Sequence, residues 1–416
     1  MAELKERIKD FVGDLYFKWI FGKLRPGYEG LEQGNFLLLP PSNLDGSFGD
    51  ELMVNSFVAN FSGKSQVTIF TDHLIHRDDF LGQYEQVRYR HNFQVRNYGR
   101  WVAELRKASA VFIIGADALD GIYSTRHSLR YLRLAMMAHK MGKPVYFSGF
   151  SLSKNATEPA KQALAEVSKF ALLKARDVDS YNRLATFVPR ERLLQVSDMA
   201  FVCPYSQQIE QSDGFQLFIK WIEQKRSENK RIVAVCPNSI QAHKIGGGKY
   251  IAGLKSLLDA FKSQGNMAFL YLYHDTRPLF DEISDLDISR ELYVQYAKED
   301  TTHAFFTENI PNGIALKSYL RYADFTMTGR MHFGISGLEA GKPMFGICYA
   351  HKFEGMLRLF EIEPDNALVD YTEMDKGGEV VAKFLNDLDN QHYRIEKNTE
   401  KINQLSFLNG QDIAWI

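Results

Sequence analysis

Short, uninterrupted apolar runs alternate along this chain with longer stretches whose apolar positions recur at helical spacing. A strand buried on both faces of a parallel sheet reads as a continuous apolar run, whereas a helix packed on that sheet keeps an apolar stripe at i, i+3, i+4. On that basis strands are predicted over 34–39, 66–70, 110–115 and 144–148. Helices are predicted from near Asp50, over 97–107 and over 127–141. Residues 171–184 read as a strand, a turn and a further helix. The polar, turn-rich run CPYSQQIEQSDG, residues 203–214, ends this series. A second series follows, with strands over 231–236, 267–274, 292–296, 324–328 and 344–348, and closing helices over 379–388 and 394–405. Strand and helix in strict alternation imply an α/β protein with parallel, doubly wound sheets. Two such series imply two Rossmann-like domains facing each other across a cleft. The expected boundaries are 1–30 for an N-terminal amphipathic helix, 31–205 for the first domain and 206–416 for the second.

The N-terminal helix, residues 3–24, carries Leu4, Ile8, Phe11, Val12, Leu15 and Trp19 on one stripe, with Lys5, Arg7, Lys9, Lys18 and Lys23 around it. An aromatic face beside lysines suits peripheral contact with a membrane surface. Docking on its own domain or on a second subunit suits it equally, and Asp10 and Asp14 dilute the basic face.

The chemistry concentrates in residues 323–360, ADFTMTGRMHFGISGLEAGKPMFGICYAHKFEGMLRLF. Gly329 breaks the strand ending at Thr328, and a helix over 331–340 follows, with Met331, Ile335 and Leu338 on one face and small residues on another. Gly341-Lys342-Pro343 then leads to a strand and a helix carrying Lys352, completing a βαβ unit. Ligands of such sheets bind beyond the carboxyl ends of the strands, where the turn puts Gly329, Arg330 and His332. A fixed cation, an imidazole and a helix N-terminus at one spot can bind an anion and move a proton. The plainer use of the same pair is to cap a helix or satisfy a carbonyl. His274-Asp275 stands at another strand end of the second series, with helix capping by Asp275 as its plain alternative.

Composition narrows the field. Fifty basic and 51 acidic side chains leave a formal net charge of -1, so no global polycation is present to wrap nucleic acid. Cys203, Cys236 and Cys348 are far apart in or beside apolar runs, as buried thiols of a reducing compartment are, and neither they nor the scattered histidines form a metal-spaced set. No run reaches the ~18 apolar residues of a membrane span, and the first residues lack a secretory core, so a cytoplasmic location is expected, with the inner membrane face open to it. No strand is followed by Gly-x-Gly-x-x-Gly or a Walker loop. Gly246 to Lys249 reads as a flexible glycine loop able to cover a phosphate.

The order Arg330-x-His332, small-residue helix, Gly341-x-Pro343, strand, Tyr349-x-x-Lys352 resembles the C-terminal signature of the polysaccharide pyruvyl transferase family. The run from Asn43 to Glu51 resembles the family's first loop, with Gly49-Asp50-Glu51 at a helix start, and Arg176-Asp177-x-x-Ser180 and Asp198 to Phe201 resemble two further motifs. The resemblance implies a GT-B-like pair of domains and transfer of pyruvate from phosphoenolpyruvate onto two sugar hydroxyls, giving a cyclic ketal and phosphate, with no cofactor or metal. Set against the needs of that reaction, Arg330, Gly329, Lys352, Lys244 and Ser239 are expected to hold the donor, His332 to protonate its methylene carbon and Asp45 to act on an acceptor hydroxyl. Asn43, Asp45, Ser151 and Arg176 would face an acceptor sugar, which is free to be lipid-linked, nucleotide-linked or polymeric. For Arg176 and Asp177, mutual pairing or helix capping is an equal alternative. An arginine of many family members is absent after the first strand of the second series, where Cys236-Pro237-Asn238-Ser239 stands, and Lys244 is the nearest cation. A metal-independent glycosyltransferase using a nucleotide sugar is the main rival, and a silent carbohydrate-binding subunit the third possibility. Oligomeric state is left open.

Overall fold

The computed structural model describes residues 2–26, 34–42, 44, 46–71, 84–90, 98–205, 209–278, 283–297, 304–349 and 353–413. Its contacts divide into two compact units: residues 1–44, 53–199 and 405–416 form the first, and residues 45–52 and 200–404 the second. The expected boundary near 205 thus falls a few residues earlier, and two segments change sides. Residues 405–416 belong to the first unit because Ser406 Oγ donates to the Asp198 carbonyl (2.8 Å), Asn409 Nδ2 to the Ser197 carbonyl (3.0 Å) and Lys174 Nζ to the Asn409 carbonyl (2.7 Å). Residues 45–52 belong to the second, where the Gly313 amide donates to Glu51 Oε2 (2.9 Å).

In the first unit the chain runs α1 (Ala2–Lys23), β1 (Asn35–Leu39), α2 (Phe48–Asn60), β2 (Gln66–Phe70), β3 (Val87–Arg90), α3 (Tyr98–Lys107), β4 (Ala110–Ile113), α4 (Thr125–Lys140), β5 (Val145–Phe147), α5 (Glu158–Ser168), β6 (Leu173–Ala175), α6 (Val178–Leu184) and β7 (Leu193–Gln195), the first turn of α2 counting with the second unit. Five strands form one parallel sheet in the order β3-β2-β1-β4-β5, and β6 and β7 pair parallel beside it. β1, NFLLL, lies at the centre and is buried on both faces, which is why its sequence does not alternate. The core joins these strands to Trp101, Leu105, Tyr131, Leu132, Leu134 and Leu164 of the covering helices. β3, VRYR, lies at the sheet edge, where half its side chains meet water.

The second unit continues with α7 (Asp213–Ser227), β8 (Arg231–Cys236), α8 (Ser239–Ile245), α9 (Gly247–Gln264), β9 (Met267–Tyr271), α10 (Asp285–Ala297), β10 (Ala304–Phe306), α11 (Gly313–Leu320), β11 (Phe325–Thr328), α12 (Met331–Glu339), β12 (Met344–Cys348), α13 (Phe353–Leu359), β13 (Leu368–Asp370), α14 (Gly378–Asn386) and α15 (Leu388–Phe407), whose last residues count with the first unit. Its six strands are all parallel, ordered β10-β9-β8-β11-β12-β13. The Gly246 to Lys249 run opens α9. One expectation is overturned: residues 292–296 are not a strand but the last turns of α10. LYVQY is short, with a β-branched residue and two aromatics, so its periodicity is ambiguous. What decides it lies upstream, where Ser284 and Asp287 cap each other's amides (2.9 and 3.3 Å) and Ile288, Ser289 and Leu292 turn one face inward. The strands left unpredicted, β10 and β13, are three-residue pieces at the two edges.

Candidate active site

β8 and β11 are neighbours in the second unit, with Thr328 opposite Cys236, and the strand order reverses between them. Their carboxyl ends are therefore the topological switch point of the sheet, where open α/β folds bind ligands. After β8, Asn238 accepts from the amides of Ile240 (2.9 Å) and Gln241 (3.4 Å), starting α8, and donates to the Gly329 carbonyl (2.7 Å). After β11, a Cβ on Gly329 would lie 2.5 Å from Gln241 Oε1 and 2.8 Å from Asn238 Cβ, so glycine is what lets the two turns touch.

Arg330 follows, and its fork is already engaged. Nε and Nη2 each donate to one oxygen of Asp285 at 2.7 Å, Nη2 also reaches Ser239 Oγ (3.1 Å), and Nη1 lies 3.6 Å from Asp275. The Ser239 amide donates to Asp285 as well (2.8 Å). Burial opposes the Arg330 charge, but Asp285 and Asp275 outweigh it and hold the guanidinium protonated well above its usual range. Burial raises the Asp285 carboxyl, against the pull of Arg330. Asp275 in turn takes Arg277 in a two-pronged pair (2.9 and 2.7 Å). Two guanidiniums and two carboxylates leave this cluster without net charge. Asp285, which ties it together, is not marked by any strand end; its signal in the sequence is the capped helix start at 284–287.

Two imidazoles stand beside the cluster. His332 lies in the first turn of α12, half-buried, its carbonyl accepting from Ser336 Oγ (2.9 Å). His274, just past β9 and only 4% exposed, lies nearly parallel to it, with ring centroids 6.2 Å apart and planes 7° apart. Gly49 passes against both: a Cβ there would sit 2.5 Å from His332 Nδ1 and 2.8 Å from His274 Cε1. The segment carrying Gly49 is tied down by the Phe48 amide donating to the His274 carbonyl (3.1 Å) and the Thr276 amide to the Gly46 carbonyl (2.9 Å). His274 Nε2 is buried with no hydrogen-bond partner among the described residues. Burial, reinforced by His332, Arg330 and Arg277, holds His274 well below the ordinary histidine range, so it is neutral at physiological pH. α2 starts at Phe48, two residues before the expected start near Asp50, and Asp50 sits in its first turn, where its charge favours the helix and bears on Arg277.

Of the remaining predicted residues, Lys244 is exposed with its ammonium 4.7 Å above the ring of Tyr349. Lys352, Asn43 and Asp45 lie outside the described residues. Ser151 and Arg176 belong to a separate cluster in the first unit. There Arg176 Nε donates to Ser151 Oγ (2.8 Å) and Nη1 to Asp198 (2.7 Å), Ser151 Oγ donates to Asp177 (3.0 Å), and Asp177 caps α6 through the Ser180 amide (2.7 Å). With side chains only 1% and 3% exposed, Arg176 and Asp198 present no surface to an acceptor. The pairing and capping alternative is what this cluster displays. The three thiols are free, and burial pushes Cys203 and Cys348 up to about 12 and Cys236 well above its usual range, so none is a thiolate. Among the described residues no three His, Cys, Asp or Glu side chains gather to hold a metal, and no helix is long and apolar enough to cross a membrane.

Two parallel sheets of Rossmann order, with polar side chains gathered at a switch point, define a GT-B-like α/β protein. Solved structures share this architecture over most of their length. A putative UDP-N-acetylglucosamine 2-epimerase from Listeria monocytogenes is 10% identical with a TM-score of 0.60, covering 90% of this chain and 94% of its own. The UDP-GlcNAc 2-epimerase of Neisseria meningitidis, bound to UDP-GlcNAc, is 13% identical at 0.56 (89% and 97%), and a glycosyltransferase from Rickettsia africae is 10% identical at 0.53 (92% and 98%). At such identities the likeness concerns the fold alone. No curated protein matches the chain by sequence. The chain belongs to the polysaccharide pyruvyl transferase family, whose model matches residues 48–351. It is thus a transferase of polysaccharide pyruvylation.

Proposed function

We propose that the protein transfers pyruvate from phosphoenolpyruvate to two hydroxyls of one sugar unit of a polysaccharide or its precursor. The observation that carries this reading is the placing of a half-buried imidazole, His332, beside a buried neutral one, His274, at the switch point of the second sheet. Protonation of the donor's methylene carbon by His332 leaves C2 electron-poor. One acceptor hydroxyl adds there, and the second displaces phosphate to close the ketal. Of the two hydroxyl protons, one replaces the proton His332 gave and the other leaves with phosphate. Asp45 acts as base toward the acceptor.

The internal ion pairs change the roles expected of the cations. Arg330 is spent on Asp285, so it fixes the turn that carries His332 and offers the donor only its Nη1 edge. Lys244 and Lys352 then supply the net positive charge that a donor with carboxylate and phosphate groups requires.

The test is thermal stabilisation of the full chain by phosphoenolpyruvate against a panel of nucleotide sugars, paired with phosphate release in the presence of acceptor glycans. A ligand at ~100 times its dissociation constant adds about 2.7 kcal/mol of stability. Stabilisation by phosphoenolpyruvate and phosphate release that disappears in His332→Ala are expected. Stabilisation by nucleotide sugars alone would overturn the reading in favour of glycosyl transfer.

A further inference from the structure

We propose that the outward stripe of α1 seats the protein on an anionic lipid bilayer. α1 carries two apolar stripes among its described side chains. One, formed by Phe17, Ile20 and Phe21 with Leu24 just beyond, packs into the first unit's core. The other, Val12, Leu15, Tyr16 and Trp19, recurs at i, i+3, i+4, i+7 and faces water; Val12, Leu15 and Trp19 are each more than half exposed. A helix whose second apolar face stays uncovered has something left to cover it.

The charges around this stripe select the occupant. Lys18, Lys23 and Arg25 are exposed beside it, and the Lys23 ammonium sits 3.7 Å above the Trp19 ring. Asp14 is the one acidic residue among the described side chains of α1, and it pairs with Arg133 of α4, so it leaves no free negative charge. Among the described residues the stripe therefore has a basic rim with Trp and Tyr at its centre, which is the chemistry of a helix lying in the headgroup layer of an anionic membrane. A second copy of the chain fits less well, because a self-complementary contact would bring the three cations of each copy against those of the other. This inference stands independently of the reaction proposed above.

The experiment is co-sedimentation of the full chain with vesicles of phosphatidylcholine alone and of phosphatidylcholine and phosphatidylglycerol in equal parts, at low and high salt, with sedimentation velocity alongside. Wild type should bind the anionic vesicles, less so at high salt, and the neutral vesicles weakly. Lys18→Glu/Lys23→Glu should lower the anionic partition by about thirtyfold or more, and Leu15→Ser/Trp19→Ser should lower binding to both, with melting temperatures unchanged because these side chains are exposed. If the serine variant proves unstable, Trp19→Gln and the charge variant, which alters only exposed ammonium groups, carry the test. Equal partition of wild type and charge variant, or absence of vesicle binding, would overturn the proposal. So would a wild-type dimer that Leu15→Ser/Trp19→Ser dissociates without any difference in vesicle binding, which would assign the stripe to a second copy.

Discussion

The two units each place an arginine immediately after a short strand and answer it with a buried aspartate. In the first, Arg176 follows β6 and meets Asp198; in the second, Arg330 follows β11 and meets Asp285. The surroundings differ. Arg176 is enclosed by Ser151, Asp177 and the chain around 197–198, so every contact on it is internal. Arg330 keeps a 12% exposed side chain and stands beside two imidazoles and a glycine that leaves them room. Similar pairs thus serve one unit as an internal tie and the other as the floor of a site, and what separates them is the pair of imidazoles that stands beside Arg330.

The sharpest break in that comparison is His332→Ala, which should lower turnover about 10²–10⁴-fold, the range of a lost proton donor. Next come the ion pairs. Arg176→Met or Arg330→Met leaves a buried carboxylate unpaired and should cost about 3–5 kcal/mol in urea unfolding. The double variants Arg176→Met/Asp198→Leu and Arg330→Met/Asp285→Leu should both regain much of that stability, yet only the first should regain activity. If the second does too, the cluster beneath His332 has no part in the reaction.

Gly49→Ala should cost about 1–3 kcal/mol by overpacking against the imidazole pair and lower turnover more than stability. A normal enzyme with a normal melting point would remove Gly49 from the site. His274 gives a subtler signal. Its folded-state value lies below the unfolded one of 6.5, so the neutral form is the one folding favours. Above the unfolded value its contribution is fully present; as pH falls below it, the unfolded chain takes up a proton that the folded chain refuses, and stability drops. His274→Gln should flatten this part of a plot of unfolding free energy against pH. The smallest change expected is for Lys244→Ala. Its ammonium over Tyr349 is exposed, so at most about 0.5–1 kcal/mol of stability is at stake, while the Michaelis constant for phosphoenolpyruvate should rise.

The local rhythm of the sequence determined the architecture. Central strands such as β1, β8 and β12 are nearly continuous apolar runs because both faces are buried, and that burial leaves a pattern a single sequence displays. The short edge strands β3, β10 and β13 leave little pattern, since edge residues are half in water, and α10 was obscured by β-branched and aromatic residues whose helical role depends on the cap upstream. In the site, Arg330, His332 and Gly329 were legible because they follow a strand directly, where chain geometry fixes position. Asp285, 45 residues earlier, was not, nor was the neutralisation of Arg330 that it brings. The resemblance of Arg176 and Ser151 to a sugar-facing motif likewise gave no sign that both are enclosed. A residue's place along the chain is set by local pattern, but whether its charge is free or already answered depends on groups far away in sequence, and only the tertiary structure brings those together.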